Sequence, residues 1–199
     1  MERLSTGSTD GRDRALAMLA SNEQSAFAEL YERWYPRILT YTLARTGELQ
    51  QASDLTAETF LLAFEAIGSY RGQGPFGAWL FAIARNLTND YFREHRQWRS
   101  VPLTLADQVM DPAPLPERQV ETGLELARVQ RAMRMLTPDR ARAVSLRFFL
   151  GLSTAAASQA MARSEAAVKM LVHRGLSDLR LQLAAADHQH GPDVERLSS

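Results

Sequence analysis

The chain contains no cysteine among its 199 residues. Disulfide bonds, thiol catalysis and cysteine-ligated zinc are therefore excluded. A run of about 18 apolar residues is also missing, so no transmembrane helix is expected. The N-terminal segment MERLSTGSTDGRDR lacks the apolar core of a secretory signal. Together these absences predict a cytoplasmic protein without disulfides.

Lysine is nearly absent as well, because Lys169 is the single lysine and the other basic residues are arginines. The formal net charge is +0, yet the charges are distributed unevenly. All charged residues between 48 and 65 are acidic, and 100–127 holds five carboxylates against one arginine. Ten basic residues face three carboxylates in 128–180. Because local fields steer partners, this basic region favours DNA as a partner.

An alternating β-strand pattern is also missing, whereas apolar residues recur at helical spacing through much of the chain. The sequence predicts an all-α fold with two small helical domains, at 16–99 and 121–184. The segment 100–120 contains four prolines and is predicted to be a flexible acidic linker. Residues 1–15 and 185–199 are expected to be disordered tails.

Local signals predict the helix ends of the first domain. Ser21 and Gln24 match a capping box, and Ser53 can cap the following helix. Pro36 is expected to break or kink the first helix. Pro75 suits the start of a long helix that should run to about residue 96.

The stretch ARNLTNDYFREHRQWRS, at 84–100, concentrates four arginines and three aromatic rings. A solvated helix tail would explain the arginines but not the rings. A nucleic-acid surface uses both, since rings stack on bases and arginines hold the backbone.

The segment STAAASQAMARSEAAVKMLVHRGL fits a helix-turn-helix, in which Ser153 and Ser164 would cap the two helices. The second helix of this motif enters the DNA major groove with its N-terminal residues. Spacing alone leaves a plain helical hairpin with solvated charges as an alternative, and the basic character of 128–180 favours DNA. The candidate DNA-contacting residues are Ser164, Glu165, Ala166, Lys169, Met170, His173 and Arg174.

Three motifs in order, DLTAETFLLAFEAIGSYRG, FGAWLFAIARNLTNDYFREHR and the helix-turn-helix, resemble bacterial sigma factors of the extracytoplasmic-function (ECF) group. The resemblance covers about 24–99 and 124–183. It implies a dissociable initiation subunit that directs core RNA polymerase to specific promoters. It implies neither enzymatic activity nor a cofactor.

The resemblance implies that the first domain binds the coiled-coil clamp helices of the large polymerase subunit. An acidic amphipathic helix suits such a partner, because its apolar residues pack while its carboxylates meet basic residues. Phe60 and Leu61 can alternatively belong to the core. The matching positions are Asp54, Leu55, Glu58, Thr59 and Phe60, with Leu62 and Glu65 nearby.

The resemblance further implies that this domain opens the minus-ten element and captures unpaired bases. Asn86 can recognise a base edge, whereas Arg85 and Arg93 suit phosphates. Trp79 lies on the apolar helix face, which favours a core position over base stacking. The implied minus-ten residues are Arg71, Gln73, Trp79, Arg85, Asn86, Asp90, Tyr91 and Arg93.

In the family the helix-turn-helix reads the minus-thirty-five element, and the linker threads the polymerase cleft. The acidic linker residues Asp107, Asp111, Glu117 and Glu121 would suit that channel, although an ordinary solvated tether fits them equally well.

The helix-turn-helix departs from the family pattern in its first helix and its turn. Small residues replace bulky ones at Ala157 and Ala160, Ala162 replaces the turn glycine, and Arg163 replaces an apolar residue. Leu171 stands where an arginine is usual. These departures predict a domain that folds but binds its promoter element weakly or with an unusual sequence preference.

Two other classes of function remain open. One is a sigma-like regulator that docks on polymerase or DNA with a weakened helix-turn-helix. The other is an enzyme with a metal at Asp187, His188 and His190, although true sites need three or four convergent ligands. Family members are often held inactive by an anti-sigma protein, which is therefore an expected partner.

Overall fold

A computed structural model describes the backbone of residues 6–98 and 128–188 and the side chains of 10–95 and 128–185. The described residues are helical and form no strand, so the all-α prediction is confirmed. The first domain contains α1 (Thr6–Leu19), α2 (Gln24–Thr46), α3 (Leu49–Ala66), a 3₁₀ turn (Ile67–Ser69) and α4 (Phe76–Trp98). None of the described helices combines the length and apolar character that crossing a membrane requires.

The core of the first domain forms where α2 and α4 cross. Leu30, Trp34 and Ile38 of α2 are fully buried, as are Phe76 and Leu80 of α4. Gly77 permits the close approach of these helices, because a Cβ there would lie 2.0 Å from the Trp34 ring. The apolar helical spacing seen in the sequence is therefore the spacing of this core.

The prediction that residues 1–15 are disordered is wrong from residue 6 onward, since α1 packs on α2. Asp13 is 1% exposed and accepts hydrogen bonds from Arg33 and from Trp34 Nε1, the latter at 3.1 Å. Burial raises the pKa of the Asp13 carboxyl, and the Arg33 charge opposes that shift. Because this segment is rich in polar residues, its buried ion pair could not be predicted from the sequence. The pair joins α1 to α2.

Two predicted helix caps in the first domain are wrong, and Pro36 does not break α2. Ser21 does not cap α2, because its hydroxyl donates to the Met18 carbonyl and Glu23 occupies the N-cap. The helix α2 runs through Pro36, which is exposed, so the carbonyl that the ring displaces can meet water. Ser53 lies inside α3, because Gly47 closes α2 at φ 77° and the chain resumes a helix at Leu49.

The second domain begins, in its described part, with α5 at 128–135. It continues with α6 (Pro138–Val144), a π-helical turn (Ser145–Phe149), α7 (Thr154–Met161) and α8 (Glu165–His188). Ser153 Oγ accepts from the Ala156 N–H at 3.0 Å, and Ser164 Oγ accepts from the Ala167 N–H at 3.2 Å. The predicted helix-turn-helix and both serine caps are therefore confirmed.

Ala162 ends α7 in the left-handed conformation, with φ 51° and ψ 46°. A side chain costs about 1–2 kcal/mol in this conformation, whereas glycine adopts it freely. We expect Ala162→Gly to raise the free energy of unfolding by about 1 kcal/mol. Urea denaturation measures the change. Ala155→Gly, at an exposed position inside the same helix, should instead lower it by about 0.5–1 kcal/mol. A decrease in the free energy of unfolding on Ala162→Gly would contradict the claim that the backbone of Ala162 is strained.

The two domains pack against each other in this structure. Arg37 Nη1 donates to the Leu150 carbonyl at 3.1 Å, and Gln130 Nε2 donates to the Arg45 carbonyl at 2.9 Å. The helix α7 packs on α4, and Ala157 is fully buried in the hydrophobic cluster that joins the two domains. Small residues of α7 thus contribute to the contact between the domains.

Candidate polymerase and promoter surfaces

The exposed face of α3 carries an acidic stripe that is interrupted by one leucine. Asp54, Glu58, Leu61 and Glu65 follow one another at spacings of four, three and four residues, and all are exposed. Leu61 is 58% exposed. Helical geometry places residues at these spacings on one face. We call these four residues the α3 face.

The predicted polymerase-binding residues divide between this face and the core. Asp54, Glu58, Leu62 and Glu65 are exposed, whereas Leu55, Thr59 and Phe60 are buried. The Phe60 ring packs edge-on against Tyr31 with centroids 4.7 Å apart. The hydroxyl of Thr59 donates to the Leu55 carbonyl at 2.6 Å, so it is already satisfied. The buried residues shape α3 and cannot reach a partner directly.

Two apolar residues suited to a partner were missing from the predicted polymerase set. Leu61 and Phe64 are 58% and 45% exposed. The helical register could have identified Leu61, since it lies three residues after Glu58 and four before Glu65. Phe64 packs edge-on against Phe27 at 5.0 Å, so only part of its ring is available.

The loop before α4 forms one wall of a cavity of about 380 Å³, which we call the loop cavity. Arg71, Gln73 and Trp79 line this wall. Trp79 is half-buried, with its ring centroid 5.5 Å from Tyr70 and 5.6 Å from Phe76. The ring therefore packs in the core with part of its surface and lines the cavity with the rest.

The remaining minus-ten candidates extend along α4. Asn86, Asp90 and Arg93 follow at spacings of four and three residues, on the same side as Trp79. Asn86 is exposed, and Arg93 forms a surface ion pair with Asp90 at 2.9 Å. Such exposed pairs contribute little stability, so a phosphate could replace Asp90 as the partner of Arg93.

Arg85 and Tyr91 do not join that stripe. Arg85 turns towards the second domain, where it lines a different cavity. Tyr91 packs on His95 with ring centroids 3.9 Å apart. Burial raises the pKa of the Tyr91 phenol. The structure thus places six candidates along one side of α4 and its loop. Arg85 lines the other cavity, although its Nη2 also donates to Asn86 Oδ1 at 3.4 Å.

The second domain covers the loop cavity. Arg142 of α6 and Gln159 and Ala160 of α7 form its opposite wall. Arg142 Nη2 donates to the Ala160 carbonyl at 2.6 Å, which fixes that wall. In this closed arrangement an unpaired base would compete with α7 for the loop.

The N-terminal turns of α8 present the predicted DNA-reading residues to solvent. All seven candidates, from Ser164 to Arg174, are exposed. Val168, between them, is fully buried and anchors the helix. Asp139 and Arg163 form an exposed ion pair at 2.8 Å beside the turn. The geometry is that of a recognition helix with its reading face open.

Groups of three or more acidic or histidine side chains that could hold a metal ion do not occur among the described residues. The candidates Asp187, His188 and His190 lie outside the described side chains. The linker residues Asp107, Asp111, Glu117 and Glu121 also lie outside them.

Comparisons with known proteins identify the class that this arrangement defines. Sigma-70 region 2 matches residues 30–99, and sigma-70 region 4 matches 126–179. CnrH, an RNA polymerase sigma factor of Cupriavidus metallidurans, is 31% identical over 183 residues, which is 87% of this chain and 95% of CnrH. The chain belongs to the ECF sigma factors, which are promoter-directing transcription initiation factors.

Other relatives differ in how much of their length the chain matches. The ECF sigma factor BldN of Streptomyces coelicolor is 37% identical over 160 residues, which cover 80% of this chain but 61% of BldN. SigW of Bacillus subtilis is 27% identical, with 85% of this chain and 95% of SigW covered. Among solved structures, CnrH in complex with the cytosolic domain of CnrY has a TM-score of 0.60 at 26% identity, covering 87% of this chain and 98% of the other.

Proposed function

We propose that three surfaces of this chain divide the work of initiation. The α3 face binds core polymerase, the loop and exposed side of α4 capture the opened minus-ten strand, and the start of α8 reads the minus-thirty-five element. The observation that carries the assignment is the exposure of all seven recognition-helix candidates on a capped helix.

The polymerase role of α3 has support from both charge and exposure. Leu61 supplies an apolar contact, and the carboxylates around it can meet basic residues of a partner helix. Interfaces of this kind use a few apolar anchors within a polar rim. Phe60 and Thr59 support α3 from within the domain.

The minus-ten role requires the two domains to separate. With α7 against the loop cavity, Gln159 and Ala160 share with Trp79 and Arg71 the space that a captured base would enter. Polymerase bound to both domains would favour the separated form by its differential affinity. The loop, Trp79 and Asn86 then offer a stacking ring and a base-edge reader in one place.

The recognition helix carries the first test of this assignment. Lys169→Ala with Arg174→Ala removes two exposed cations from the reading face. We expect the logarithmic salt dependence of promoter affinity to become shallower by about two units, since each phosphate contact contributes about 0.9. Fluorescence anisotropy across a salt titration, with the variant in polymerase holoenzyme, measures the slope.

The matched control replaces two other exposed cations of the same domain, Arg131 and Arg180, by alanine. Its slope should remain within about half a unit of the unaltered chain, since neither residue lies at the start of α8. Equal slopes for both double variants would remove Lys169 and Arg174 from the DNA surface.

We further propose that the chain acts in the cytoplasm without enzymatic activity and that an anti-sigma protein controls it. The support is the solved complex of CnrH with the cytosolic domain of CnrY, since CnrH matches most of this chain. The exposed leucines of α3 offer such a protein a surface that polymerase also needs. Co-purification partners that compete with core polymerase would identify it.

A further inference from the structure

Four arginines converge on a second cavity between the domains, of about 420 Å³. Arg45 of α2 and Arg85 of α4 come from the first domain, and Arg134 of α5 and Arg142 of α6 come from the second. We call this space the arginine cavity. It is of the size of small-ligand sites and far too small for a DNA duplex.

The positive charge of this cavity is poorly compensated. Asp139 is the one carboxylate in its lining among the described residues, and it already pairs with Arg163 at 2.8 Å. The guanidinium carbons of Arg45 and Arg134 lie 5.5 and 5.8 Å from the Phe92 ring centroid, so both cations rest on one ring. An aromatic face attracts cations but does not neutralise them.

Two of the four arginines also have a hydrogen-bond donor without a partner among the described residues. The Nε atoms of Arg45 and Arg142 are buried and have no hydrogen-bond partner among the described residues. Burial lowers the pKa of Arg142, the charge of Arg85 lowers it further, and the charge of Asp139 opposes the shift. Arginine nevertheless stays protonated at neutral pH, so the cluster keeps its charge and its unused donors.

We propose that the arginine cavity binds a small polyanion with two or more phosphate groups, held by guanidiniums from both domains. Phosphate suits these residues because the planar guanidinium donates two parallel hydrogen bonds to its oxygens. A ligand held from both sides stabilises the closed arrangement in which α7 covers the loop cavity. It also occupies Arg85, one of the minus-ten residues that the family resemblance implies.

Isothermal titration calorimetry of the full chain with sodium pyrophosphate tests this site at constant ionic strength. We expect saturable binding to one site and a higher unfolding temperature with the ligand. Arg85→Gln and Arg134→Gln, one from each domain, should each weaken binding about tenfold or more. Arg131→Gln, an exposed residue one turn from Arg134 and outside the cavity, should bind as the unaltered chain does.

Three results would overturn the proposal. They are the absence of saturable binding, an equal loss in Arg131→Gln, and a loss confined to the arginine of one domain. Thermal unfolding without ligand establishes that each variant folds, and Arg134 is exposed enough for its replacement to be tolerated. A competing single-stranded oligonucleotide without promoter sequence identifies the source of the phosphate. Displacement of pyrophosphate indicates a nucleic-acid backbone, and continued binding indicates a free small ligand.

Discussion

Glu58→Lys combined with Leu61→Ala is expected to weaken binding to core RNA polymerase about 10- to 100-fold. The leucine is the most exposed apolar side chain of the α3 face, and truncation of such an anchor typically costs about 2 kcal/mol or more. Reversing the neighbouring charge converts an attraction into a repulsion. Titration of labelled chain with core polymerase measures the affinity.

A matched variant separates this effect from a general loss of charge or apolar surface. Glu32→Lys with Leu181→Ala makes the same two chemical changes at exposed positions outside the α3 face. Its affinity should stay within about twofold of the unaltered chain. Equal weakening in the two double variants would mean that polymerase does not use α3 in the proposed way.

The neighbouring residue Phe60 should behave differently from Leu61. It is 4% exposed and packs against Tyr31 and Tyr35, so Phe60→Ala removes core volume. We expect that change to lower the free energy of unfolding by about 3–5 kcal/mol. Leu61→Ala should change it by less than about 0.5 kcal/mol. Chemical denaturation of both single variants distinguishes a core residue from a contact residue.

Asn86→Ala is expected to slow the opening of promoter DNA about 10- to 100-fold. Asn86 is exposed on α4, and a bidentate asparagine–base contact is worth about 1–3 kcal/mol. Because the contact forms with an unpaired base, the loss should appear in strand opening rather than in polymerase binding. The fluorescence of 2-aminopurine placed in the minus-ten element follows the opening directly.

Asn22→Ala is the control for this change, since it truncates another exposed asparagine of the first domain. It should open DNA at the unaltered rate. A promoter with a mismatched minus-ten region is already open, so strand separation is not needed there. On this promoter the Asn86→Ala chain should regain only the part of its activity that is lost before base capture. Full recovery would place Asn86 in duplex melting and not in base recognition.

The fold was largely predictable because its signals are local. Apolar spacing identified α2 and α4, and the serines before α7 and α8 predicted their caps. The errors came from tertiary context. Asp13 looked like part of a polar tail, but Arg33 and Trp34 satisfy it within the domain. Pro36 did not end α2, because packing on both sides of it maintains the helix.

The side-chain detail of the candidate site could not be predicted. Motif positions predicted a polymerase helix and a minus-ten helix, which stay predictions, yet they could not show that Phe60 is buried while Leu61 is exposed. Helical register distinguishes such neighbours only when the buried side is known. Contacts between the domains were harder still to predict, because the residues that form them are distant in the sequence. Arg45 and Arg134, for example, are 89 positions apart. Their convergence on Phe92 depends on domain packing.

The small residues of α7 allow two structural interpretations. In the sequence, Ala157 and Ala160 indicated a weakened helix-turn-helix. In the structure, Ala157 is fully buried in the hydrophobic cluster that joins the two domains, and Ala160 lines the loop cavity. Small side chains at these positions let the second domain approach the first. That the helix-turn-helix binds its promoter element weakly or with an unusual sequence preference stays a prediction.

Sequencing the 5′ ends of transcripts made in vitro by core polymerase with this chain tests the central claim most directly. We expect discrete start sites that share one minus-ten and one minus-thirty-five sequence. We also expect that the Asn86→Ala chain loses initiation at these sites. Starts no different from those of core polymerase alone would contradict promoter direction by this chain. Unchanged starts and yields with the Asn86→Ala chain would contradict the proposed minus-ten surface.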